Sequence, residues 1–186
     1  MEPQVLLERL IRLEKHVGEL YVAFGDLSAA PAEVRFFWNC MATDETNHAA
    51  ILQRTAGLLD LVVLPPQASV EALDRLEAKI RTLEKAARQQ QLSVDEAFWA
   101  ALELEGSELN SLTAAWIRGF RPAVAVLLEA LLPEEENHFR RLVEATHMFS
   151  RDHALHRQAD SLWCLSQRVS GKGEKREHFT TRGRRR

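Results

Sequence analysis

Residues 37–52 read FWNCMATDETNHAAIL. In this stretch apolar side chains recur at the spacing of one face of an α-helix. Two polar residues lie on that same face. The face consists of Phe37, Met41, Glu45, His48 and Leu52, at steps of four, four, three and four residues. The stretch therefore predicts a helix that carries a glutamate and a histidine toward the protein interior.

The same arrangement occurs again near the end of the chain. Its predicted inward face consists of Leu128, Leu131, Glu135, His138 and Leu142. Another Glu-x-x-His pair is formed by Glu144 and His147, but Glu144 follows Glu135 by nine residues, about two and a half helical turns. This further pair is therefore predicted to lie on the opposite, solvent-exposed face, beside Arg141.

Two further glutamates interrupt apolar faces. Glu14 lies between Leu10 and Val17, and Glu105 lies between Leu102 and Leu109, with Glu108 one turn after Glu105 and flanking the same face. Glu14 precedes Glu45 by 31 residues, and Glu105 precedes Glu135 by 30 residues. The matching intervals predict that a pair of helices is repeated in the chain.

Composition limits the class of protein. The 186 residues are 46% hydrophobic and carry a formal net charge of −3, which is typical of one globular domain. Two cysteines without a C-x-x-C pair exclude a zinc ribbon, a rubredoxin-type iron site and a dense disulfide framework, and they favour a cytoplasmic location. No apolar run is long enough for a membrane span, so no membrane partner is expected.

Turn signals are sparse, which predicts an all-α protein. The chain has 8 glycines and 6 prolines, no Asn-Gly or Asp-Gly turn, and no alternating apolar and polar segment of a strand's length. Ser93 and Glu96 form a capping box that opens one of the helices. We predict helices over residues 3–26, 31–59, 70–90, 93–119, 122–148 and 150–169.

The order of these helices matches a ferritin-like four-helix bundle. A charged crossover helix joins the second and third bundle helices, and an extra helix follows the fourth. We divide the chain into the bundle at residues 1–150, the additional C-terminal helix at 151–170, and a basic tail at 171–186 whose composition predicts disorder.

The inward-facing polar residues match a known ligand set. A Glu from each of two helices, together with Glu-x-x-His from each of the other two, binds two metal ions in ferritin-like di-iron carboxylate proteins. Two irons are the expected cofactors, and manganese suits the same oxygen and nitrogen ligands. The alternative is that these residues are ordinary surface acids, which the two matching intervals disfavour.

Residues 3–148 resemble the rubrerythrin branch of the ferritin-like family. The resemblance rests on Glu14 with Tyr21 seven residues later, and on ETNH at 45–48, EGSE at 105–108 and EENH at 135–138. It implies that Glu45 and Glu135 bridge two irons and take part in catalysis with Tyr21. The implied terminal ligands are Glu14, His48, Glu105, Glu108 and His138, of which Glu108 is the extra carboxylate that distinguishes rubrerythrins from plain ferritins.

The chain departs from that family in three respects, one of which is the addition of the charged crossover helix and the extra C-terminal helix. Full rubrerythrins carry a rubredoxin domain with paired C-x-x-C motifs, which are absent here. We therefore expect an external electron donor, either rubredoxin-like or a flavoprotein. Pro133 lies two residues before Glu135 and is expected to kink or restart the fourth bundle helix.

Three functions are compatible with these features. The first is a rubrerythrin-like peroxidase that reduces hydrogen peroxide in oxidative-stress defence, which Glu108 favours. The second is a ferroxidase that oxidises Fe(II) with oxygen or peroxide for iron storage or detoxification, which the missing rubredoxin motifs favour. The third is a non-enzymatic helical bundle that binds a partner.

Several other residues have two interpretations. In one interpretation Tyr21 has a functional role, in which it hydrogen-bonds a ligand carboxylate or passes an electron. The alternative is a buried structural tyrosine whose hydroxyl is satisfied. Asp44 either orients a ligand histidine or is an exposed acid, and the exposed acid is favoured. The cluster of His147, His153 and His156 is interpreted as surface polarity in preference to a metal site.

Association with other molecules is predicted only in outline. A homodimer is expected from surplus tryptophans, Trp38, Trp116 and Trp163 among them. Nucleic-acid binding is not expected, because the basic C-terminus lacks interleaved aromatic residues and any known recognition motif.

Overall fold

The computed structural model describes residues 2–62, 70–106, 116–131 and 135–169, with the backbone alone at 127–131, 135–136 and 165–169. Its elements in chain order are α1 (Pro3–Gly25), α2 (Ala32–Arg54), a 3-10 helix (Thr55–Leu61), α3 (Val70–Arg88), α4 (Val94–Glu105), α5 (Pro122–Leu131), α6 (Glu135–Phe149) and α7 (His153–Val169). Within these ranges there is no strand beyond one isolated bridge between Val62 and Phe120. The predicted all-α class and a helical bundle are confirmed.

The helix ends differ from the prediction in two places. The second helix was expected to reach residue 59, but α2 ends at Arg54 and the chain tightens into the 3-10 helix. The third was expected to reach residue 119, but α4 ends at Glu105 with Gly106 as its C-cap, and residues 107–115 lie outside the described part. The predicted fourth helix is described as α5 and α6. Pro133, where a kink or restart was predicted, lies outside the described residues.

Helices α1 and α2 form a closely packed antiparallel pair. Gly25 lies beside Arg35 and Trp38, whereas Gly18 lies beside Ala42 and Glu45. A Cβ atom added at Gly18 would lie 3.4 Å from the Cβ of Glu45, so the two helices approach closely at this position. The missing side chain of Gly18 thus leaves room for the part of α2 that carries Glu45.

An aromatic cluster fills the core next to that position. The ring centroid of Trp38 lies 5.3 Å from that of Tyr21, 5.2 Å from Phe24 and 4.9 Å from Phe98. Trp38 and Trp116 are fully buried within the chain. These two tryptophans are therefore core residues and give no support to the predicted homodimer, which stays a prediction.

Helix α3 is attached to α1 by a partly buried ion-pair group. The guanidinium of Arg9 lies 2.6 Å from a carboxylate oxygen of Asp74 and 2.9 Å from one of Glu77. At the end of α3, Gln90 adopts a left-handed backbone with φ of 57°. Its side chain accepts a hydrogen bond from the backbone N–H of Ser28, at 2.6 Å. Both contacts hold α3 against the α1–α2 pair.

No helix in the described ranges has the length and apolar content that crossing a membrane requires.

The capping box predicted at the start of α4 is present. The hydroxyl of Ser93 accepts a hydrogen bond from the backbone N–H of Glu96, and the Glu96 carboxylate accepts one from the backbone N–H of Ser93. We expect Ser93→Ala to lower the free energy of unfolding by about 1 kcal/mol, because the backbone N–H of Glu96 loses its acceptor and the Glu96 carboxylate loses the hydroxyl that donates to it. Urea unfolding followed by circular dichroism measures the change, with the exposed helical Ser161→Ala as the control that should show no loss.

The same box predicts a pH dependence. The hydrogen bonds from Ser93 hold the pKa of Glu96 below its ordinary value. A carboxyl group whose pKa is lowered by folding contributes stability above its unfolded-state pKa, and the contribution is lost as the pH falls through the folded-state pKa. The penalty of Ser93→Ala should therefore shrink on acidification, and an unchanged penalty would contradict the assignment.

Candidate metal centre

Five of the predicted ligands meet in the interior of the bundle. Glu14 comes from α1, Glu45 and His48 from α2, Glu105 from α4 and His138 from α6. Glu14, Glu45 and His138 are each only 2% exposed. Burial of several ionisable side chains among apolar residues is costly unless they are paired or hold cations. Four helices thus deliver charged groups to one small region.

The five residues form two groups that share Glu45. One group contains Glu14, Glu45 and His48, and the other contains Glu45, Glu105 and His138. In each group one ligand atom per residue lies within 4.8 Å of the others. A carboxylate common to two such groups is suited to bridging two metal ions.

The two oxygens of Glu45 face different histidines. Oε2 lies 3.1 Å from Nδ1 of His48, and Oε1 lies 3.1 Å from Nε2 of His138. Each imidazole has a second carboxylate nearby, since His48 Nδ1 lies 4.0 Å from Glu14 and His138 Nε2 lies 3.0 Å from Glu105. Oε1 of Glu45 is buried, and its described polar contact is this ion pair with His138, which lacks the geometry of a hydrogen bond.

The electrostatic field of the carboxylates favours cations at both positions. Burial lowers the pKa of His138, but the charge of Glu105 and the hydrogen bond to Asp44 outweigh it, so the pKa lies well above its ordinary value. Burial likewise lowers the pKa of His48, but the hydrogen bond to Glu45 and the charge of Glu45 outweigh it, so the pKa is raised overall. Burial alone would raise the pKa of Glu45, but contacts with His138 and His48 bring it below the usual range. The carboxylates around each imidazole thus favour positive charge at that position.

Tyr21 is attached to one of the two groups. Its hydroxyl donates a hydrogen bond of 2.5 Å to Oε1 of Glu105, so the predicted contact between Tyr21 and a candidate ligand is present. Burial, followed by the charge of Glu105, raises the pKa of Tyr21 well above its ordinary value. The phenol therefore remains a protonated donor. A role in electron transfer stays a prediction.

Asp44 is buried, so its interpretation as an exposed acid was wrong. It is 9% exposed, and its Oδ2 lies 3.1 Å from Nδ1 of His138. Oδ2 also accepts a hydrogen bond from Nη2 of Arg141. A histidine ligand that donates its outer N–H to a carboxylate has a fixed tautomer and ring orientation. Asp44 and Arg141 can therefore orient His138.

The sequence contained one signal for this pair. Asp44 follows the buried Met41 by three residues. Arg141 was predicted on the solvent-exposed face beside Glu144, but it follows His138 by three residues and contacts Asp44, so each lies close to the inward face of its helix. Glu144, in contrast, has a side chain that is 57% exposed. This agrees with the prediction that the Glu144–His147 pair lies on the outside.

Two predicted ligands are untested by the geometry. Glu108 lies outside the described residues, and Glu135 is the first residue of α6 but its side chain is not among those described. Their proposed roles stay predictions.

The donor set fits divalent metals that prefer oxygen and imidazole ligands. Each group offers two carboxylates and one imidazole, and no thiolate belongs to either. Iron, manganese and zinc all accept such ligands. The residues present could hold a divalent metal ion.

Comparison with known proteins gives no relative. No protein-family model, curated protein or solved structure matches this chain.

Proposed function

We propose that this protein is a ferritin-like di-iron oxidoreductase of the rubrerythrin type, which reduces hydrogen peroxide with electrons from an external donor. The observation that carries the proposal is the sharing of Glu45 by two buried carboxylate and histidine groups. A single structural metal ion would need only one such ligand group. Two groups joined by a carboxylate are the arrangement of a dinuclear centre.

The ligands divide into two sets around Glu45. Glu14 and His48 would hold one iron, and Glu105 and His138 would hold the other, with Glu45 between them. Glu135 and Glu108 are proposed as the second bridge and an additional ligand, on the resemblance to rubrerythrins. When bound, two irons supply an Fe(II)/Fe(III) couple that can deliver two electrons to a small oxygen species.

The surrounding residues have separate tasks in this proposal. The hydroxyl of Tyr21 keeps its proton and restrains Glu105 through Oε1. Asp44 accepts the Nδ1 proton of His138, leaving Nε2 to face the site. The aromatic cluster around Trp38 excludes bulk water from the side next to Tyr21. Together these contacts preserve the ligand geometry while charge changes at the centre.

The overall reaction requires a co-reactant. Reduction of hydrogen peroxide to two molecules of water breaks the O–O bond and consumes two electrons and two protons. We propose a rubredoxin-like protein or a flavoprotein as the electron donor, and water as the source of the protons.

A ferroxidase is the second candidate, and one observation favours it. The side chain of His48 is 13% exposed, whereas that of His138 is 2% exposed. The group of Glu14, Glu45 and His48 therefore has the more open side, by which Fe(II) could enter as a substrate. Oxidation by oxygen or peroxide would then leave Fe(III) as the product to be stored.

One series of measurements tests these proposals. Elemental analysis and a visible spectrum of aerobically purified protein should give about two irons per chain and an oxo-bridged absorption band. With added reductant, a peroxidase consumes hydrogen peroxide over many turnovers, whereas a ferroxidase accumulates Fe(III). Fully folded protein that cannot be loaded with iron or manganese would overturn both and leave the partner-binding bundle.

Asp44→Ala provides a prediction about positioning. Loss of the carboxylate removes the acceptor of His138 Nδ1 and the partner of Arg141. Changes to such outer contacts lower metal affinity by about 10- to 100-fold. Competition with a chelator during Mn(II) binding measures the loss, with the exposed Asp60→Ala as control. An affinity equal to that of wild type would show that Asp44 does not position His138.

A further inference from the structure

We propose a second metal site on the surface, formed by His147 of α6 with His156 and His153 of α7, for one Zn²⁺ or Cu²⁺ ion. The site lies where α6 ends and α7 begins. His147 follows His138 by nine residues, about 13 Å along the axis of α6, so it is separate from the candidate centre. The proposal does not depend on the function proposed above.

The imidazoles of His147 and His156 each hydrogen-bond to the protein through one ring nitrogen. Nε2 of His147 lies 2.9 Å from Oδ1 of Asp160, and Nε2 of His156 lies 3.0 Å from the backbone carbonyl oxygen of Ser150. Since both partners are acceptors, each Nε2 carries the proton in the neutral ring. The lone pair is then on Nδ1 of both rings, and no described residue hydrogen-bonds to either Nδ1.

This pattern is typical of histidines that bind metal. A ligand histidine usually donates its other ring N–H to a carboxylate or a backbone carbonyl, which fixes the tautomer. His147 uses a carboxylate and His156 a carbonyl. The tautomers needed for coordination are therefore already set before an ion binds.

The spacing of the rings also fits a shared ion. With metal–nitrogen bonds of about 2.0–2.1 Å and an angle of about 90–110°, two imidazoles on one ion have ring centroids roughly 4.5–5.2 Å apart. The centroids of His147 and His156 are 4.5 Å apart. His153 is exposed, lies one turn before His156, and has its centroid 5.8 Å from it. In our proposal this exposed side chain rotates to supply the third imidazole.

The chemistry selects the class of ion. Neutral imidazoles bind zinc, copper and nickel, whereas magnesium and calcium prefer oxygen ligands. The side chain of His147 is 40% exposed, so an ion can arrive directly from solvent. Because the ligands come from two helices, a bound ion would join the end of α6 to the start of α7.

Zn²⁺ binding to the full chain tests the proposal. We expect the double variant His147→Ala, His156→Ala to bind one Zn²⁺ fewer per chain than wild type in equilibrium dialysis. The single variants should bind this ion at least tenfold more weakly. Gln158→Ala on the same helix is the control and should bind as wild type does. In protein that also carries Glu45→Ala, the surface ion should remain.

A second measurement needs no variant. Saturating Zn²⁺ should protect His147 and His156 of the wild-type chain from modification by diethyl pyrocarbonate, as located by peptide mass spectrometry. Equal zinc stoichiometry in the double variant, or modification of these two histidines that zinc does not slow, would overturn the proposal.

Discussion

Glu45→Ala is expected to reduce the iron content of the purified protein from about two ions per chain to none. Glu45 belongs to both ligand groups, with one oxygen directed to each histidine. Its removal leaves each position with one carboxylate and one imidazole among the described residues, which is too few for a retained ion. Elemental analysis after gel filtration measures the change.

The stability of the metal-free protein should also fall. Without metal, Glu45 is a buried carboxylate paired with His48 and His138. Removing one partner of a buried ion pair leaves an uncompensated buried charge and is destabilising. We expect the metal-free variant to melt at a lower temperature than metal-free wild type, and metal-loaded wild type to melt at the highest temperature of the three. Differential scanning calorimetry with and without metal separates the two effects.

Glu144→Ala is the matched control for this experiment. Glu144 also lies three residues before a histidine on a helix, but its side chain is exposed and contacts Arg140. The control should keep both ions. A Glu45→Ala protein that still holds two ions would remove the argument for a dinuclear centre, and wild type that binds none would favour the partner-binding bundle.

The candidate site could be predicted from the sequence because helical periodicity encodes which residues face inward. Glu45 and His48 occupy positions between Met41 and Leu52, and both apolar neighbours are buried in the structure. A charged residue on an apolar face is rare enough to attract attention. The direction of each side chain therefore followed from its own helix alone.

Contacts between distant helices could not be predicted in this way. Asp44 and Arg141 are 97 residues apart, and they meet only because α2 and α6 pack together. On its own helix each is an ordinary charged residue near the edge of the apolar face. Trp38 shows the same limitation, since its burial depends on aromatic partners from α1 and α4. Helical periodicity predicts which side of the helix a residue lies on, but not which residue it contacts.

Helix ends were predicted less well because several are set by tertiary contacts. The 3-10 helix after α2 is anchored where Thr55 accepts a hydrogen bond from the indole of Trp116, at 3.1 Å. Ser93, by contrast, caps α4 with its own hydroxyl and a glutamate three residues later. The local signal was recognisable in the sequence, whereas the contact with Trp116 spans 61 residues.

His48→Ala and His138→Ala should each remove one ion of the two, and they should remove different ones. His48 contacts Glu14 and Glu45, whereas His138 contacts Glu45 and Glu105. Each variant keeps the complete ligand group of the other position. We therefore expect about one iron per chain in either variant, and loss of peroxide turnover in both, since two-electron reduction at the proposed centre needs both irons.

The effect of Tyr21→Phe on the remaining ion shows which of the two positions each histidine variant has lost. In His48→Ala the surviving position lies beside Tyr21, through the hydrogen bond from Tyr21 to Glu105. Adding Tyr21→Phe to His48→Ala should therefore weaken binding of the remaining ion, while adding it to His138→Ala should not. Titration with Mn(II), followed by electron paramagnetic resonance, compares these affinities. Equal effects of Tyr21→Phe in the two backgrounds would show that the ligands form one undivided site, and the proposed dinuclear centre would then be wrong.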